Sequence, residues 1–350
     1  MRVFQLLDAL DYGDAVSNHA IEINNMLIEM GIFTKIYSIY AHQKVDTFRE
    51  SINEIKVKKD DVIIFHFSGK SSLLNKINRL RCKKVLIYHN ITPHHYFEGM
   101  EPHYTQCLDG RMQLEELVGM FDLYLGDSQF NVSELLNLGC EPSRVMPIIV
   151  DLKIKSSKRK YTISNNGTKF LFVGRVAPNK KHEDVMRIFD YYCTYIDPNA
   201  ILYFVGNYND YMLYYEKLLN IRSNLTSGRK IIFTGKVSND ELVHHYKTAD
   251  VFLCMSEHEG FCVPLLESMS YGLPTFAFDS GAINSTMGAS GVLITEKRFD
   301  DIAELIDILL NKQEIAREIV EKQYLWLDNF TRAKSIGLLA EILEEVRNLS

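Results

Sequence analysis

Short apolar, β-rich runs alternate with segments of helical spacing along the whole chain, and this rhythm confines the fold to a few architectures. Val3–Leu7, Lys35–Tyr40, Val62–Phe67, Val85–Tyr88, Leu123–Leu125 and Val145–Val150 read as strands. Helical patterns lie between them near Val16–Met30, Lys70–Leu80, Gln113–Met120 and Asn131–Leu138. Strands that alternate with helices imply an α/β fold, a parallel sheet covered on both faces. The rhythm breaks at Asp151–Gly167 (DLKIKSSKRKYTISNNG), a polar, basic stretch that marks a domain boundary. It then restarts with Phe170–Val173, Ile201–Val205, Ile231–Thr234, Val251–Met255, Thr275–Phe278 and Val292–Ile294. Ser238-Asn239-Asp240-Glu241 is a capping box that opens a helix to about Thr248, and Ile302–Leu310, Ile315–Trp326 and Ile336–Val346 carry helical spacing.

A chain of 350 residues exceeds the usual size of one core. The division expected is a first domain over 1–152, a linker over 153–167, a second domain over 168–330, and a final helix within 331–350. Charge excludes one class of partner. Residues 1–152 hold 15 Lys+Arg against 20 Asp+Glu, and the remainder 24 against 25, so neither half is basic and nucleic acid is not expected. The six cysteines show no C-x-x-C spacing, which suits reduced, mostly buried thiols in a reducing compartment. The N-terminus reads as a first strand rather than a signal peptide, and no apolar run is long enough to span a membrane. A cytoplasmic location follows as an expectation. The basic cluster Lys76, Arg79, Arg81, Lys83 and Lys84 reads as a solvated helix end, with peripheral contact at the inner membrane face as the minority reading.

Candidate chemistry concentrates where strands give way to helices. After Val251–Met255 comes Glu257-His258-Glu259-Gly260-Phe261-Cys262-Val263, then a helix from Pro264, a residue suited to the first helical position. Ligands of open α/β sheets bind at that carboxyl edge, and a helix N-terminus favours anions. Glu259 and Glu267 could there accept hydroxyl protons from a sugar-like ligand. The plainer alternative makes Glu259 a solvated loop residue and Glu267 a complement to the helix dipole. Gly174-Arg175-Val176-Ala177-Pro178-Asn179-Lys180-Lys181 also follows a strand, and Arg175 with Lys180 would bracket a diphosphate. Gly206 and Gly235 end two more strands. In the first half, Gly13 sits in the first strand-to-helix turn, and His89 ends a strand within Tyr88-His89-Asn90-Ile91-Thr92-Pro93-His94-His95. His89, His94 and His95 lack a further ligand at metal-site spacing, so a polar substrate contact through His89 is favoured over metal. Asp127-Ser128 read first as helix capping. There is no Asp-x-Asp triplet, Walker A loop, G-x-S-x-G elbow or zinc signature, and no metal or cofactor is expected.

These residues carry a family resemblance. FVGRVAPNKKHED (Phe172–Asp184), GKVSNDELVHHYKTADVFLCMSEHEGFCVPLLESMSYGLPTFAFDSGA (Gly235–Ala282) and SGVLI resemble retaining glycosyltransferases of the GT-B fold, family four. YGDAVSNHA, YHNITP (Tyr88–Pro93) and DLYLGDSQFN (Asp122–Asn131) resemble one branch of that family. The resemblance implies two Rossmann-like doubly wound domains facing across a cleft, with the C-terminal helix crossing back to the first. It implies that Gly174, Arg175 and Lys180 hold the donor diphosphate, and that Glu259 contacts the sugar with Gly260, Phe261, Cys262 and Val263 near sugar and phosphate. Glu267 would bind the ribose, the base would lie near Gly206 and the Gly235–Ser238 turn with Val237, and Gly13 and Asp14 would line the cleft. His89 would sit by the reacting sugar, making Glu259, His89, Arg175 and Lys180 the catalytic set.

Two departures stand out. Where many relatives read Gly-Ala-Val-Pro-Glu-Thr, this chain reads Gly281-Ala282-Ile283-Asn284-Ser285-Thr286, and the loop after the first strand lacks the double glycine common in the family. The expected activity is metal-independent, retaining transfer of a hexose from a GDP-mannose or UDP-glucose type donor to a glycan or lipid-linked glycan hydroxyl in surface polysaccharide synthesis. A nucleotide-sugar epimerase and a silent sugar-nucleotide-binding subunit are the alternatives. The sequence does not specify an oligomeric state.

Overall fold

The computed structural model describes residues 1–150 and 167–349. The chain divides into two compact units, Met1–Asp151 with Phe330–Ser350, and Leu152–Asn329. The proposed linker, apart from Gly167, lies outside the described residues.

The first unit holds β1 (Val3–Leu10), β2 (Thr34–Ala41), β3 (Arg49–Ser51), β4 (Val62–Phe67), β5 (Lys83–Tyr88), β6 (Leu123–Gly126) and β7 (Ser143–Val145). They form one sheet in the order β3-β2-β1-β4-β5-β6-β7, and every pairing is parallel. Side chains alternate across it. Val62, Ile64, Val85 and Ile87 pack on one face with Ile23, Met26 and Leu27 of α1 (Ala15–Glu29). Ile63, Phe65, Phe67, Leu86 and Tyr88 pack on the other. That second face receives Leu74 and Ile77 of α2 (Leu74–Arg79), Leu114 of α3 (His103–Glu116) and Leu135 of α4 (Gln129–Asn137).

The second unit builds a six-stranded parallel sheet from β8 (Lys169–Val173), β9 (Ile201–Val205), β10 (Ile231–Gly235), β11 (Val251–Cys254), β12 (Thr275–Phe278) and β13 (Val292–Ile294), ordered β10-β9-β8-β11-β12-β13. Its helices are α5 (His182–Tyr195), α6 (Met212–Asn224), α7 (Asn239–Thr248), α8 (Val263–Ser270), α9 (Ile283–Met287), α10 (Phe299–Asn311) and α11 (Gln313–Leu327). α12 (Arg332–Asn348) belongs to the first unit, where Leu339, Ile342, Leu343 and Val346 complete the α1 face of the sheet. Each such burial contributes roughly 1.5–3 kcal/mol of transfer free energy. Arg144 to Glu345 (2.5 Å) and Arg332 to Glu22 (2.9 Å) fix its rotation.

Several sequence expectations shift. Val145–Val150 is mostly not strand, because β7 ends at Val145. The helix placed at Gln113–Met120 is the end of α3, which starts at His103. Lys70–Leu80 yields a helix over Leu74–Arg79 alone. The edge strand β3 went unread, since three half-buried polar residues carry no apolar signal. The capping box at Ser238 and Glu241 is formed as read.

His182 opens α5 fully buried among Phe172, Phe204 and Tyr214, and neither ring nitrogen has a hydrogen-bond partner among the described residues. Burial, helped by the Lys180 ammonium, pushes its pKa from 6.5 down to about 3. Between these values the unfolded chain binds a proton that the folded chain refuses, so stability falls with pH below 6.5 by about 1.4 kcal/mol per unit. Going from pH 7 to 5 is expected to cost the second unit about 2 kcal/mol through this residue, and His182→Phe should remove that component. Urea denaturation at both pH values, followed by the fluorescence of Trp326, the single tryptophan, checks this. An unchanged slope in the variant would clear His182 of the effect.

Candidate active site

Strand order turns around between β8 and β11 in the second unit, and the loops leaving those strands meet there at the carboxyl edge. They are stitched by Asn179, buried in the β8 loop. Its side-chain amide donates to His258 O (2.9 Å), while its own carbonyl accepts from the Glu257 N–H (2.8 Å). That register brings Lys180 onto Glu259, with its ammonium 2.6 Å from both carboxylate oxygens. Burial opposes the charge on Lys180, but Glu259 outweighs it and holds the ammonium above its usual pKa. Arg175, by contrast, is exposed, and its guanidinium has no partner among the described residues. Of the two predicted cations, only Arg175 keeps its donors for an incoming anion.

Glu257 belongs to a different set. It pairs with Lys297 (2.6 Å) and Lys181 (3.0 Å), and these contacts overcome its burial to hold its pKa below the usual carboxylate range. Lys297 also reaches Asp184 (2.7 Å), so Glu257 braces the loop from behind. Cys262 caps α8 from a left-handed backbone conformation (φ 70), and Gly260, Cys262 and Val263 are part-exposed at that helix start while Phe261 is buried. Glu267 lies within α8 and accepts from the Tyr246 hydroxyl (2.7 Å). Burial raises the Glu267 pKa, and the Tyr246 bond pulls the other way.

Further along the edge, a Cβ on Gly206 would lie 1.9 Å from Gly174 O, so residue 206 must be glycine for these loops to pass. Gly235 turns at φ 74 against the Tyr208 ring, and Val237 sits part-exposed just before the Ser238 cap. The Glu259 loop is held from a third side. Ala282 N–H donates to Glu259 O (2.9 Å), Thr286 Oγ to Phe261 O (2.5 Å) and Ser280 Oγ to Ser256 O (2.5 Å). Sequence reading missed Asn179 as the stitch, Lys297 and Tyr246; nothing in their spacing distinguishes them from ordinary helix and loop residues.

In the first unit, order turns around between β1 and β4. Gly13 there has φ 77, and Asp14 caps α1 by accepting from Ser17 N (3.0 Å). His89 follows β5 and is committed at both nitrogens, Nδ1 to Asp127 Oδ2 (2.8 Å) and Nε2 to His66 Nδ1 (2.9 Å). A polar contact from His89 to a substrate therefore requires one of these bonds to open. Asp127 does not cap α4, as expected from sequence; Ser128 does so alone, and Asp127 is fully buried against His89. His94 and His95 lie apart from this group, in the turn His94–Phe97, and the histidines that join His89 are His66 and His19. The basic cluster is partly absorbed, since Lys83 pairs with Asp122 (3.3 Å). No helix among the described residues is long and apolar enough to cross a membrane.

The second unit coincides with a known family. The model for glycosyl transferases group 1 matches residues 153–326. Sulfoquinovosyl transferase SQD2 of Arabidopsis thaliana is 28% identical over 205 residues, covering 56% of this chain and 36% of that protein. A GDP-mannose-dependent phosphatidylinositol monomannoside mannosyltransferase of Mycobacterium tuberculosis is 24% identical over 185 residues, covering 48% and 46%. The matched segments thus span less than half the length of these relatives. Among solved structures, HepE of Anabaena, determined with UDP-glucose, superposes with a TM-score of 0.74 at 16% identity over 99% of this chain and 100% of that one. Identity that low speaks for the fold alone, the two parallel-sheet α/β domains of the GT-B architecture. With the family model lying over the unit that carries Arg175, Lys180, Glu259 and Glu267, that unit of the chain belongs to the glycosyl transferases group 1 family.

Proposed function

We propose that this glycosyltransferase moves a hexose, with retention and without a metal in the transfer step, from a nucleoside diphosphate sugar of the GDP-mannose or UDP-glucose type. The acceptor is a hydroxyl of a glycan or lipid-linked glycan, and surface polysaccharide assembly on the cytoplasmic side is the setting. The observation that carries the reading is an exposed Arg175 guanidinium, unpaired among the described residues, on the same loop that brings Lys180 onto Glu259 ahead of α8. A diphosphate leaving group needs its developing charge met by fixed donors, and Arg175 with the α8 N–H groups supplies them. Glu259, neutralised by Lys180, is suited to holding sugar hydroxyls rather than to attacking carbon. Retention then proceeds on one face: the bond from the anomeric carbon to phosphate oxygen breaks, the bond to the acceptor oxygen forms, and the acceptor proton passes to the departing phosphate. Glu267, set by Tyr246, takes the ribose hydroxyls.

Thermal shift against UDP, GDP, UDP-glucose and GDP-mannose selects the donor; saturation at 100 to 1,000 times the dissociation constant should add about 3–4 kcal/mol of stability. Transfer to a glycan acceptor is then followed by NMR of the anomeric proton. Product of inverted configuration, or turnover that needs added Mg2+ or Mn2+, would overturn the mechanism. Isomerisation of donor without acceptor would favour the epimerase, and donor binding without any transfer the silent subunit.

A further inference from the structure

One side chain from each of four neighbouring strands builds a hydrogen-bonded row across the first sheet: Gln5 of β1, His66 of β4, His89 after β5 and Asp127 after β6. Its polarity is fixed from one end. The Gln5 amide donates to Ala20 O (2.9 Å), so its carbonyl oxygen faces His66 Nε2 (2.9 Å) and requires a proton there. With that proton on Nε2, the His66 ring presents Nδ1 as an acceptor to His89. His89 Nε2 must then donate to it, and His89 Nδ1 shares one removable proton with Asp127 Oδ2. Beside this pair sits His19 of α1, fully buried, with neither ring nitrogen hydrogen-bonded among the described residues. Asp127 Oδ1 is likewise unpartnered, and it lies 3.8 Å from His19 Nδ1, beyond hydrogen-bond reach. Three orphaned polar atoms in a fully buried spot call for something between them.

We infer that His19, His89 and Asp127 bind one divalent transition-metal ion of the zinc class, with His66 and Gln5 as its outer partners. One ligand atom from each of the three lies within 4.8 Å of the others, and the Asp127 oxygens stand 2.8 Å from His89 Nδ1 and 3.8 Å from His19 Nδ1, separations that bonds of about 2.0–2.2 Å to one ion can bridge. Two imidazoles and a carboxylate suit zinc, cobalt or iron(II) rather than the all-oxygen shells of magnesium and calcium. Neither ring nitrogen of His19 is engaged in a hydrogen bond among the described residues, so its imidazole has a lone pair to offer. The ion replaces the proton shared by His89 and Asp127, while His89 Nε2–H remains donated to His66, the outer bond that ligating histidines usually make. Its role is to tie α1 to the carboxyl edge of β5 and β6; it takes no part in the transfer step proposed above.

The test uses the purified full chain stripped with chelator and titrated with Zn2+ and Co2+. One ion per chain is expected, with release of about one proton per ion measured calorimetrically in two buffers. His19→Gln and Asp127→Asn should weaken binding more than about 100-fold, and His66→Gln by 10- to 100-fold, whereas exposed His244→Ala leaves it unchanged. X-ray absorption of the zinc form should show only nitrogen and oxygen neighbours. Those two wild-type measurements stand even if a variant fails to fold. Absence of one-to-one binding, binding without proton release, or binding that survives in His19→Gln would overturn the site and leave a buried water as the occupant. A sulfur neighbour would do the same by placing the ion at Cys254 and Cys262, which with Glu259 form another cluster within 4.8 Å. Donor binding and transfer report separately on the proposed function, so the two can fail independently.

Discussion

Lys180→Met is expected to cut transfer at least 100- to 1,000-fold and to destabilise the second unit by about 3 kcal/mol. Both effects come from one pair. The Lys180 ammonium is 2.6 Å from each Glu259 oxygen, with Glu259 7% exposed, so removing the cation leaves a nearly buried carboxylate without its charge partner. Loss of one member of a buried pair costs roughly 3–5 kcal/mol, and Lys180 falls at the low end because 20% of its side chain meets solvent. The double variant Lys180→Met/Glu259→Leu separates structure from chemistry. It should regain most of the stability, because the stranded charge is gone, and none of the activity. Arg175→Ala supplies the contrast. Its guanidinium is exposed and unpaired among the described residues, so stability should stay within about 0.5 kcal/mol while kcat/KM falls about 100- to 1,000-fold. Denaturation curves beside steady-state kinetics decide the matter. Wild-type turnover in Lys180→Met, or in Arg175→Ala, would remove that residue from the machinery.

The contrast between these cations shows where sequence reading reaches and where it stops. Arg175 and Lys180 look alike in the chain, two cations on the loop after one strand, and both were expected to hold the diphosphate. Which of them is neutralised depends on Asn179 joining that loop to the one after β11, a contact across 79 residues. Element types were legible because apolar runs, Pro264 and the Ser238–Glu241 box are local signals. The strand order that puts the β8 and β11 loops side by side is not local, and the paired carboxylates acquired distinct surroundings only through it: Lys180 for Glu259, Tyr246 for Glu267. The histidines show the same limit more sharply. His94 and His95 stand close to His89 in the chain and lie apart from it in the fold, whereas His66 and His19 reach it from β4 and α1. Sequence proximity pointed at the wrong neighbours, because residues at successive strand ends meet only once the strands are laid in parallel order.

Gly281→Ala is expected to lower kcat/KM by about 100-fold while costing only about 1–2 kcal/mol of stability. Gly281 has φ +54, and a Cβ there would lie 2.6 Å from Glu259 O and 3.0 Å from Glu259 N, both backbone atoms that cannot swing aside. The next residue donates from Ala282 N to Glu259 O at 2.9 Å, so the Glu259 main chain is gripped by the same turn. An added methyl must push Glu259 outward against that bond, and shifts approaching an ångström at a positioned group cost about two orders of magnitude in rate. This segment is also where the chain departs from the pattern it resembles, with Asn284-Ser285 where that pattern has Pro-Glu ahead of Thr286. Thr286 still donates to Phe261 O (2.5 Å), so the turn keeps its hold on the loop without the glutamate. Among the described residues, the Asn284 and Ser285 side chains bond within their own segment, to Asp279 (3.3 Å) and Ala282 O (2.9 Å). Their alanine variants should therefore stay within about threefold of wild type, as surface substitutions usually do. Kinetics on all three variants, with melting temperatures alongside, give the comparison. Unchanged kcat/KM in Gly281→Ala would mean that Glu259 is placed by Lys180 alone and that the turn is only a connection between β12 and α9.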